Sequence, residues 1–232
     1  MESKFYRPDD ARAEKVRQLF ATIARRYDAL NDIMSAGLHR RWKRRLVSLA
    51  GAPGRVLDLC CGTGDIARMF APQARVVGAD FTDEMLRVAA TRTDRVQWVR
   101  ADALRLPFAD GVFDAVSIGY GLRNLADIEQ GLREARRVLR PGGRLVTLDF
   151  GKPESAAWRA VYFAYLRTAL PVLGRVFCGD PDTHGYILAS LRDYPAQRGI
   201  KTMMEACGYT GCGFEEFAGG AMAINYGDRP RD

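Results

Sequence analysis

The chain has 232 residues, of which 47% are hydrophobic and 27% charged, and its formal net charge is +7. This length suits one α/β domain with attachments, and the balance of apolar and charged residues excludes a disordered chain. The charge excess is compatible with nucleic acid, an anionic membrane surface or an anionic substrate as a partner. The opening residues 1–14 are polar and no uncharged apolar run approaches ~20 residues, so we expect neither a signal peptide nor a membrane-spanning helix.

Residues 1–50 are predicted to form a helical extension. Apolar residues recur at helical spacing over residues 15–30 and again over residues 42–49. The second helix is expected to end near Gly51–Gly54, where glycine and proline interrupt the pattern. The extension holds twelve Lys or Arg and six Asp or Glu, so it carries +6 of the net +7, and five of its cations crowd into His39–Arg45.

From residue 54 onward, short apolar runs alternate with helical patterns. This alternation predicts a parallel sheet that is covered by helices on both faces. Pro141-Gly142-Gly143 is predicted to form a turn before the fifth strand. The five predicted strands are Arg55–Cys60, Arg75–Asp80, Val96–Arg100, Val112–Ile118 and Arg144–Asp149, and the predicted helices are Ile66–Phe70, Glu84–Thr91 and Ile128–Leu139.

The second half of the chain departs from this alternation. Residues 151–195 read as an apolar helical insertion, and a helix over Arg198–Ala206 leads back to the core. The runs Phe214–Phe217 and Ala221–Tyr226 are predicted to form a closing β-hairpin with Gly219-Gly220 in its turn. We therefore expect one domain in four parts: the N-terminal extension 1–50, a core over 54–150, the insertion 151–195 and a closing helix and hairpin over 196–232.

The loop after the first predicted strand has the sequence Asp58-Leu-Cys-Cys-Gly62-Thr63-Gly64-Asp65. Glycines are needed where the backbone turns sharply or lets a ligand approach without a Cβ. The same spacing also occurs at ordinary helix-entry turns, so by itself it does not decide between the two. Asp80 ends the second strand, 18 residues after Gly62. A carboxylate in that place can accept both ribose hydroxyls, so the pair predicts an adenosine-containing ligand.

Acidic residues near the glycines separate two such ligands. The pyrophosphate of NAD tolerates acids poorly, whereas the ammonium and sulfonium of S-adenosylmethionine (SAM) are favoured by Asp58 and Asp65. Asp102 ends the third strand, where it either accepts the adenine amine or is a solvated loop acid, and Leu104–Phe108 can wall the ring. We therefore expect SAM, with an NAD-dependent oxidoreductase as an alternative that calorimetry with both cofactors separates.

Residues at the carboxyl ends of four different predicted strands carry the candidate contacts. They are Asp58, Asp80, Asp102 and Gly119–Asn124. Ligands of open α/β sheets bind at the carboxyl ends of the strands. The convergence of four strand ends is stronger evidence than any one motif, and it predicts a single pocket at this edge of the sheet.

Several of these stretches resemble class I SAM-dependent methyltransferases, namely Asp58–Asp65, Asp80, Asp102–Phe108 and Leu139–Arg144. Three others resemble, more narrowly, the C-methyltransferases of menaquinone and ubiquinone biosynthesis: Tyr27–Trp42, Gly121–Asn124 and the stretch from Leu170 to Met204. The resemblance covers nearly the whole chain. It implies a Rossmann-like, seven-stranded, mostly parallel sheet with helices on both faces, and methylation of a ring carbon of a polyprenylated hydroquinone. Demethylmenaquinol is the leading acceptor, and a benzoquinol or another small hydrophobic molecule is the alternative.

The resemblance carries SAM contacts to particular positions, which are Thr63, Asp80, Asp102 and Ala103. Gly119 stands where the family usually has Ser, so a side-chain contact is lost there. Departures at His184 and over 192–195 bear on the choice of quinol more than on the reaction class. The expected cofactor site comprises Asp58, Gly62, Thr63, Gly64, Asp80, Phe81, Asp102, Ala103 and Gly119.

Methylation of a ring carbon requires a phenolate next to it and a base that takes the ring proton afterwards. Arg123 is the candidate partner of the oxyanion, because a guanidinium stays charged, although it could instead cap a helix or pair with Asp127. Asn124 could fix the other hydroxyl. His39 lies among cations that lower its pKa, so it is a candidate base or a residue that helps the N-terminal helix close over the site. For Tyr27 and Asp28 the same two roles, catalytic or structural, are left open by the sequence.

The expected partners follow from the same reading. The aromatic face over Trp158–Leu173 is either ordinary core or the lining of a tunnel for a prenyl tail. The basic run His39–Leu46 is either a solvated helix face or a dock on an anionic membrane, where each Lys or Arg contributes ~1 kcal/mol. Aromatics do not interleave with the basic run, so we do not expect nucleic acid, and an RNA methyltransferase is the weaker alternative. The five cysteines lack the spacing of a zinc site and are expected to be reduced thiols of a cytoplasmic protein.

Overall fold

The computed structural model describes residues 27–178 and 193–231, together with residues 18, 21, 188, 190 and 191. The N-terminal helix expected from Lys15 onward is therefore described only from Tyr27. His184 and Arg192, where the sequence departs from the resembling family, lie outside the described residues.

Seven strands form one sheet in the order β3-β2-β1-β4-β5-β7-β6. Strands β1 to β5 pair in parallel, and β7 runs antiparallel to both of its neighbours, β5 and β6. This arrangement confirms the expected seven-stranded, mostly parallel sheet and its closing hairpin. The strands are β1 (Arg55–Leu59), β2 (Arg75–Asp80), β3 (Val96–Arg100), β4 (Phe113–Gly119), β5 (Leu139–Phe150), β6 (Thr210–Phe217) and β7 (Met222–Asp228).

Helices cover both faces of the sheet, because successive residues of a buried strand point to opposite sides. Leu57 and Leu59 of β1 belong to one apolar core, and Val56 belongs to the other. The described helices are α1 (Tyr27–Ser35), α2 (His39–Leu49), α3 (Asp65–Phe70), α4 (Asp83–Ala90), α5 (Ile128–Val138), α6 (Ala156–Cys178) and α7 (Ala196–Ala206), with short 3-10 turns at Leu122–Asn124 and Ala218–Gly220. The first core packs against α5, α6 and α7, and the second packs against α2 and α3.

The predicted turn at Pro141–Gly143 is wrong in kind, because these residues lie inside β5. Leu139 pairs with Phe113 and Arg144 pairs with Ala115, so residues 140–143 face a single residue of β4. The surplus residues form a large β-bulge. Gly142, at φ +76°, takes the left-handed conformation that the bulge requires. The strand continues through the bulge and therefore starts earlier than the sequence pattern suggested.

Helix α2 packs on one face of the sheet, and α1 packs against α6. Helix α2 contacts α3, β4, β5 and β7, and buries Leu46 completely. Helix α1 contacts α6, where the Tyr165 hydroxyl donates to the carbonyl of Met34 at 3.0 Å. Within the described ranges, no helix is long and apolar enough to cross a membrane.

Candidate active site

An open cavity lies at the carboxyl ends of β1 to β4. Its volume is about 910 Å³ when the solvent at its mouth is included. Seven of the residues expected at the site line it: Gly62, Asp80, Phe81, Asp102, Ala103, Gly119 and Asn124. Asp58, Thr63, Gly64, Arg123 and His39 do not line it. The structure thus brings the strand-end residues together and divides the expected set into residues that face the cavity and residues behind it.

The two glycines of the loop after β1 serve different purposes. Gly62 lines the cavity at φ +53°, and its amide donates to Oδ2 of Asp80 at 2.8 Å. Gly64 lies at φ +82°, and a Cβ there would meet Cη2 of Trp98 at 2.4 Å. Gly62 therefore leaves room for a ligand, whereas Gly64 leaves room for the Trp98 ring of β3.

Asp80 presents its carboxylate to the cavity with one backbone amide on each oxygen. The amide of Thr82 donates to Oδ1 at 2.9 Å, and that of Gly62 donates to Oδ2 at 2.8 Å. Burial raises the pKa of Asp80, while these two amides oppose the rise. Each oxygen has a second lone pair, so the fixed carboxylate can accept two hydroxyl groups from a ligand.

The end of the cavity above β3 is apolar except for one acid. Asp102 is exposed, and its Oδ1 accepts the amide of Leu104 at 2.9 Å, which leaves its other oxygen for a ligand amine. Ala103 and Leu104 continue the wall. Phe81 is 38% exposed, and the guanidinium of Arg100 lies 5.8 Å from its ring centroid. A flat heteroaromatic ring with an exocyclic amine fits these groups.

Asp58 has a structural position rather than the ligand-facing one expected. Its Oδ1 accepts the Ser117 hydroxyl at 2.7 Å and its Oδ2 accepts the amide of Ala67 at 2.9 Å, and the residue is 1% exposed. Burial raises its pKa to about 7, against the hydrogen bonds from Ser117 and Ala67. Asp58 therefore ties β1 to β4 and to α3 beneath the cavity.

The second acid of the loop, Asp65, is neutralised by cations. Lys43 lies 2.9 Å from its Oδ2, and Arg68 and Arg92 lie 2.7 and 3.4 Å from its Oδ1. The charge of Asp65 is therefore matched by cations of the chain itself. Thr63 is 2% exposed, and its carbonyl accepts from Arg92 at 3.3 Å.

Arg123 pairs with Asp149 rather than with Asp127. Its Nη1 donates to Oδ1 of Asp149 at 2.6 Å, its amide donates to Oδ2 at 3.2 Å, and the two residues are 4% and 3% exposed. The guanidinium lies 4.7 Å from the Phe150 ring centroid, and Asp127 caps α5 by accepting the amide of Gln130. The charge of Arg123 is thus shared with a buried carboxylate behind the cavity wall.

Asn124 lies on the cavity wall beside Arg123. Its Nδ2 donates to the carbonyl of Tyr120 at 3.2 Å. Its Oδ1 is buried and has no hydrogen-bond partner among the described residues. A buried acceptor without a partner is costly, and Asn124 is one of the residues that line the cavity.

Gly119 and Tyr120 form the rim above β4. A Cβ on Gly119 would meet Cδ1 of Ile66 at 2.3 Å, so Ile66 fills the volume that a serine side chain would need. Tyr120 has the left-handed φ of +60°, and its carbonyl accepts from Nη1 of Arg123 at 2.8 Å. Strained non-glycine backbone of this kind is held in place by its surroundings and is concentrated at functional sites.

His39 lies on α2 and is 3% exposed, with Nε2 3.3 Å from Oδ1 of Asp32. Burial, followed by the charge of Lys43, lowers the pKa of His39, in the direction expected from its basic neighbours. The side chains of Tyr27 and Asp28 lie outside the described residues. His39 therefore belongs to the corner between α1 and α2 rather than to the cavity wall.

Reasoning from sequence missed Tyr120, which lines the cavity, and Asp149 and Lys43, which do not line it but lie close to it. Asp149 ends the fifth predicted strand, so the rule that selected Asp80 and Asp102 applies to it as well. Tyr120 lies within the segment that follows β4, but its strain has no signal in the sequence. Lys43 is one lysine among four arginines, and only the fold separates it from them.

Comparisons with known proteins agree along the length of the chain. The profile of the ubiE/COQ5 methyltransferase family matches residues 9–229. The demethylmenaquinone methyltransferase of Thermus thermophilus is 46% identical over 221 residues, which are 91% of this chain and 100% of that protein. The ubiquinone/menaquinone biosynthesis C-methyltransferase UbiE of Ectopseudomonas mendocina is 42% identical over 235 residues, 96% of this chain and 92% of that protein.

A solved structure supports the fold. A SAM-dependent methyltransferase from Thermotoga maritima, described as a possible histamine N-methyltransferase, superposes with a TM-score of 0.67 at 18% identity, covering 91% of this chain and 98% of that one. At this identity the likeness bears on the architecture alone, which is the Rossmann-like methyltransferase fold.

Proposed function

The chain belongs to the ubiE/COQ5 methyltransferase family, and from this premise we propose that it transfers the methyl group of SAM to a ring carbon of a polyprenylated hydroquinone. The leading acceptor is demethylmenaquinol, in keeping with the name of the relative that is 46% identical. The observation that carries the proposal is one cavity with Asp80 and Asp102 towards one end and Asn124, whose buried Oδ1 lacks a partner among the described residues, towards the other.

The residues present fit SAM. The carboxylate of Asp80 suits the ribose hydroxyls, and Asp102 with Ala103 and Phe81 suits the adenine ring. Gly62 and Gly119 add no side chain to the cavity wall. At Gly119 even a Cβ would clash with Ile66. When bound, SAM supplies a methyl group that is activated by its sulfonium. Thr63 and Gly64 shape the loop from behind, and Asp58 supports it from below.

The chain's own residues at the other end of the cavity suit a hydroquinone. Asn124 offers Oδ1 to one ring hydroxyl, which supplies the donor that this buried oxygen lacks. Arg123 provides positive potential where the second hydroxyl becomes a phenolate, and Asp149 fixes the orientation of its guanidinium. Deprotonation of that hydroxyl, with water at the open mouth of the cavity as the proton acceptor, makes the adjacent ring carbon nucleophilic. The new carbon–carbon bond forms as the bond between the methyl group and sulfur breaks, and the ring proton then passes to water. We assign His39 to closure of the N-terminal helices rather than to proton transfer.

Methylation in vitro with radiolabelled SAM tests the function. The acceptor panel pairs demethylated with already methylated naphthoquinols, and adds a benzoquinol of the same prenyl length. We expect label in the demethylated naphthoquinol alone, because the methylated one has no free ring position. Label mainly in the benzoquinol favours the alternative acceptor, and no label in any hydroquinone contradicts the proposal.

We also propose that the enzyme works at the cytoplasmic face of an anionic membrane, from which a prenylated quinol must enter. Helix α6, helix α1 and the turn after α1 expose six large apolar residues: Ile33, Leu38, Trp158, Val161, Tyr165 and Val172. Arg41, Arg44, Arg159 and Arg167 are also exposed on these helices. An apolar surface beside arginines is suited to the headgroup region of anionic lipid.

Co-sedimentation with vesicles tests this docking. We expect the protein to sediment with vesicles of phosphatidylglycerol and phosphatidylcholine, and much less with phosphatidylcholine alone. Arg41→Glu/Arg44→Glu and Val161→Asp/Val172→Asp should each reduce binding severalfold. Arg87→Glu/Arg133→Glu, on exposed faces of α4 and α5, changes the net charge as much as the Arg41 and Arg44 variant does and serves as its control. Equal loss in the control variant, or equal binding to neutral vesicles, contradicts the proposed surface.

A further inference from the structure

Lys43 is the exception among the cations of the basic run on α2. Arg40, Arg41, Arg44 and Arg45 are exposed, whereas Lys43 is 5% exposed. Its Nζ lies 2.9 Å from Oδ2 of Asp65 and 5.9 Å from the ring centroid of Tyr120. The ammonium therefore lies between the residue that follows the glycine loop and the rim above β4.

The order of the strands gives the cavity a direction. Asp102 and Asp80 stand at the ends of β3 and β2, and Gly62 and Tyr120 stand beyond the ends of β1 and β4. With the adenosine placed over β3 and β2, the methionyl part of SAM reaches the side of β1 and β4. This is the side on which Lys43 lies.

The charge at this side favours an anion. Asp65 is surrounded by Lys43, Arg68 and Arg92, so the cluster carries two more positive than negative charges. Lys43 has three N–H donors, and the contacts within the described part of the chain use one of them for a hydrogen bond. A buried ammonium is costly unless its donors are matched, so a second anionic acceptor would be stabilised here.

We infer that Lys43 binds the α-carboxylate of the methionyl part of SAM and of its demethylated product. The inference rests on the proposed function and adds to it the residue that recognises the amino-acid end of the cofactor. The competing explanation is that Lys43 only fastens α2 to the glycine loop through Asp65. The two explanations differ in whether removal of the Lys43 side chain also lowers the affinity for a ligand that lacks the carboxylate.

Calorimetry with two probes separates these explanations. S-adenosylhomocysteine carries the carboxylate, and its decarboxylated analogue, 5′-deoxy-5′-(3-aminopropylthio)adenosine, keeps the ammonium and the adenosine. For the wild type we expect the analogue to bind about tenfold more weakly, as for the loss of one charge-assisted hydrogen bond. Lys43→Met should weaken S-adenosylhomocysteine about tenfold and the analogue less than twofold. Lys201→Met, which removes an exposed lysine paired with Glu205, should change neither affinity.

Each other outcome has a definite meaning. Equal weakening of both probes by Lys43→Met assigns Lys43 to fastening α2 and overturns the inference while leaving the proposed function intact. Failure of the wild type to bind S-adenosylhomocysteine overturns the proposed function itself. If Lys43→Met does not fold, Lys43→Arg and the wild type are compared with the same probes. A wild type that binds both probes equally, or an arginine variant that discriminates less than threefold, then overturns the inference.

Discussion

The two halves of the carboxyl edge handle charge in opposite ways. At the ends of β2 and β3, Asp80 and Asp102 line the cavity and are held by backbone amides, with the Thr82 side chain also donating to Asp80. At the ends of β4 and β5, Arg123 and Asp149 are buried and neutralise each other. One half offers charges that line the cavity. Under the proposed function, the other half holds the reacting ring against Asn124 at the wall, with a preorganised ion pair behind it.

This difference matches what each half has to hold. A cofactor that binds and leaves at every turnover needs exposed, fixed acceptors. A phenolate exists only during the reaction, and a buried pair supplies donors without attracting an anion in the resting enzyme. The halves should therefore respond differently to mutation: the first through cofactor affinity, the second through stability and turnover.

The largest expected effect comes from separating Arg123 from Asp149. Arg123→Met and Asp149→Leu each leave one buried charge without its partner, which lowers the free energy of unfolding by about 3–5 kcal/mol. The double variant should lose much less than the sum of the two. Both singles should also cut turnover by about 100-fold or more while the affinity for S-adenosylhomocysteine changes less than threefold. Denaturant titration and single-turnover assays measure these changes.

The pair Arg198–Glu154 is the matched control, since both side chains are exposed. Arg198→Met should cost about 0–1 kcal/mol. Additive losses in the Arg123 and Asp149 double variant would mean that the two residues do not act as a pair. A loss of cofactor affinity as large as the loss of turnover would remove the distinction between the two halves.

The next largest effect is expected at Asp80. Asp80→Asn keeps the size of the side chain but removes its charge and one acceptor oxygen, and its NH₂ group then faces an amide donor. We expect S-adenosylhomocysteine to bind about 100-fold more weakly, with the fold retained, because one hydrogen bond to a charged group is lost and the other becomes a weaker, neutral one. Asp83→Asn, three residues on and exposed beside Arg100, is the control. A change below threefold at Asp80 in calorimetry would exclude it as the ribose acceptor.

The same contrast explains what the sequence could predict. The cofactor half is readable because each strand end contributes one residue, so a strand followed by an acid is enough to place Asp80 and Asp102. The mostly parallel sheet and the closing hairpin were confirmed for a related reason: hydrophobic runs and glycine turns mark their strands locally. The family resemblance supplied the reaction class.

The rest depends on contacts between distant parts of the chain. Arg123 and Asp149 are 26 residues apart, and nothing local distinguishes Asp149 from Asp127 as the partner. Asp58 and Asp80 look alike as acids at strand ends, yet only Asp80 reaches the cavity. Ser117 lies on the neighbouring strand, 59 residues from Asp58. Its hydroxyl donates a hydrogen bond to one oxygen of Asp58 and so helps to hold this carboxylate beneath the cavity.

The smallest expected effect concerns Asp58, which lies between the two halves. Its pKa in the folded protein is about 7, against an ordinary value of 3.8. The folded chain therefore holds a proton that the unfolded chain has released, and stability present below pH 4 is lost as the pH rises towards 7. The slope is about 1.4 kcal/mol per pH unit while the two states differ by a full proton, so about 2 kcal/mol is lost between pH 5 and 6.5. Asp58→Asn, whose amide can still accept from Ala67 and donate to Ser117, should lack this slope, and Asp83→Asn should keep it. Urea titrations across this pH range compare the three proteins. Parallel curves for the wild type and Asp58→Asn would mean that Asp58 is ionised beneath the cavity and contributes a second negative charge to the cofactor half.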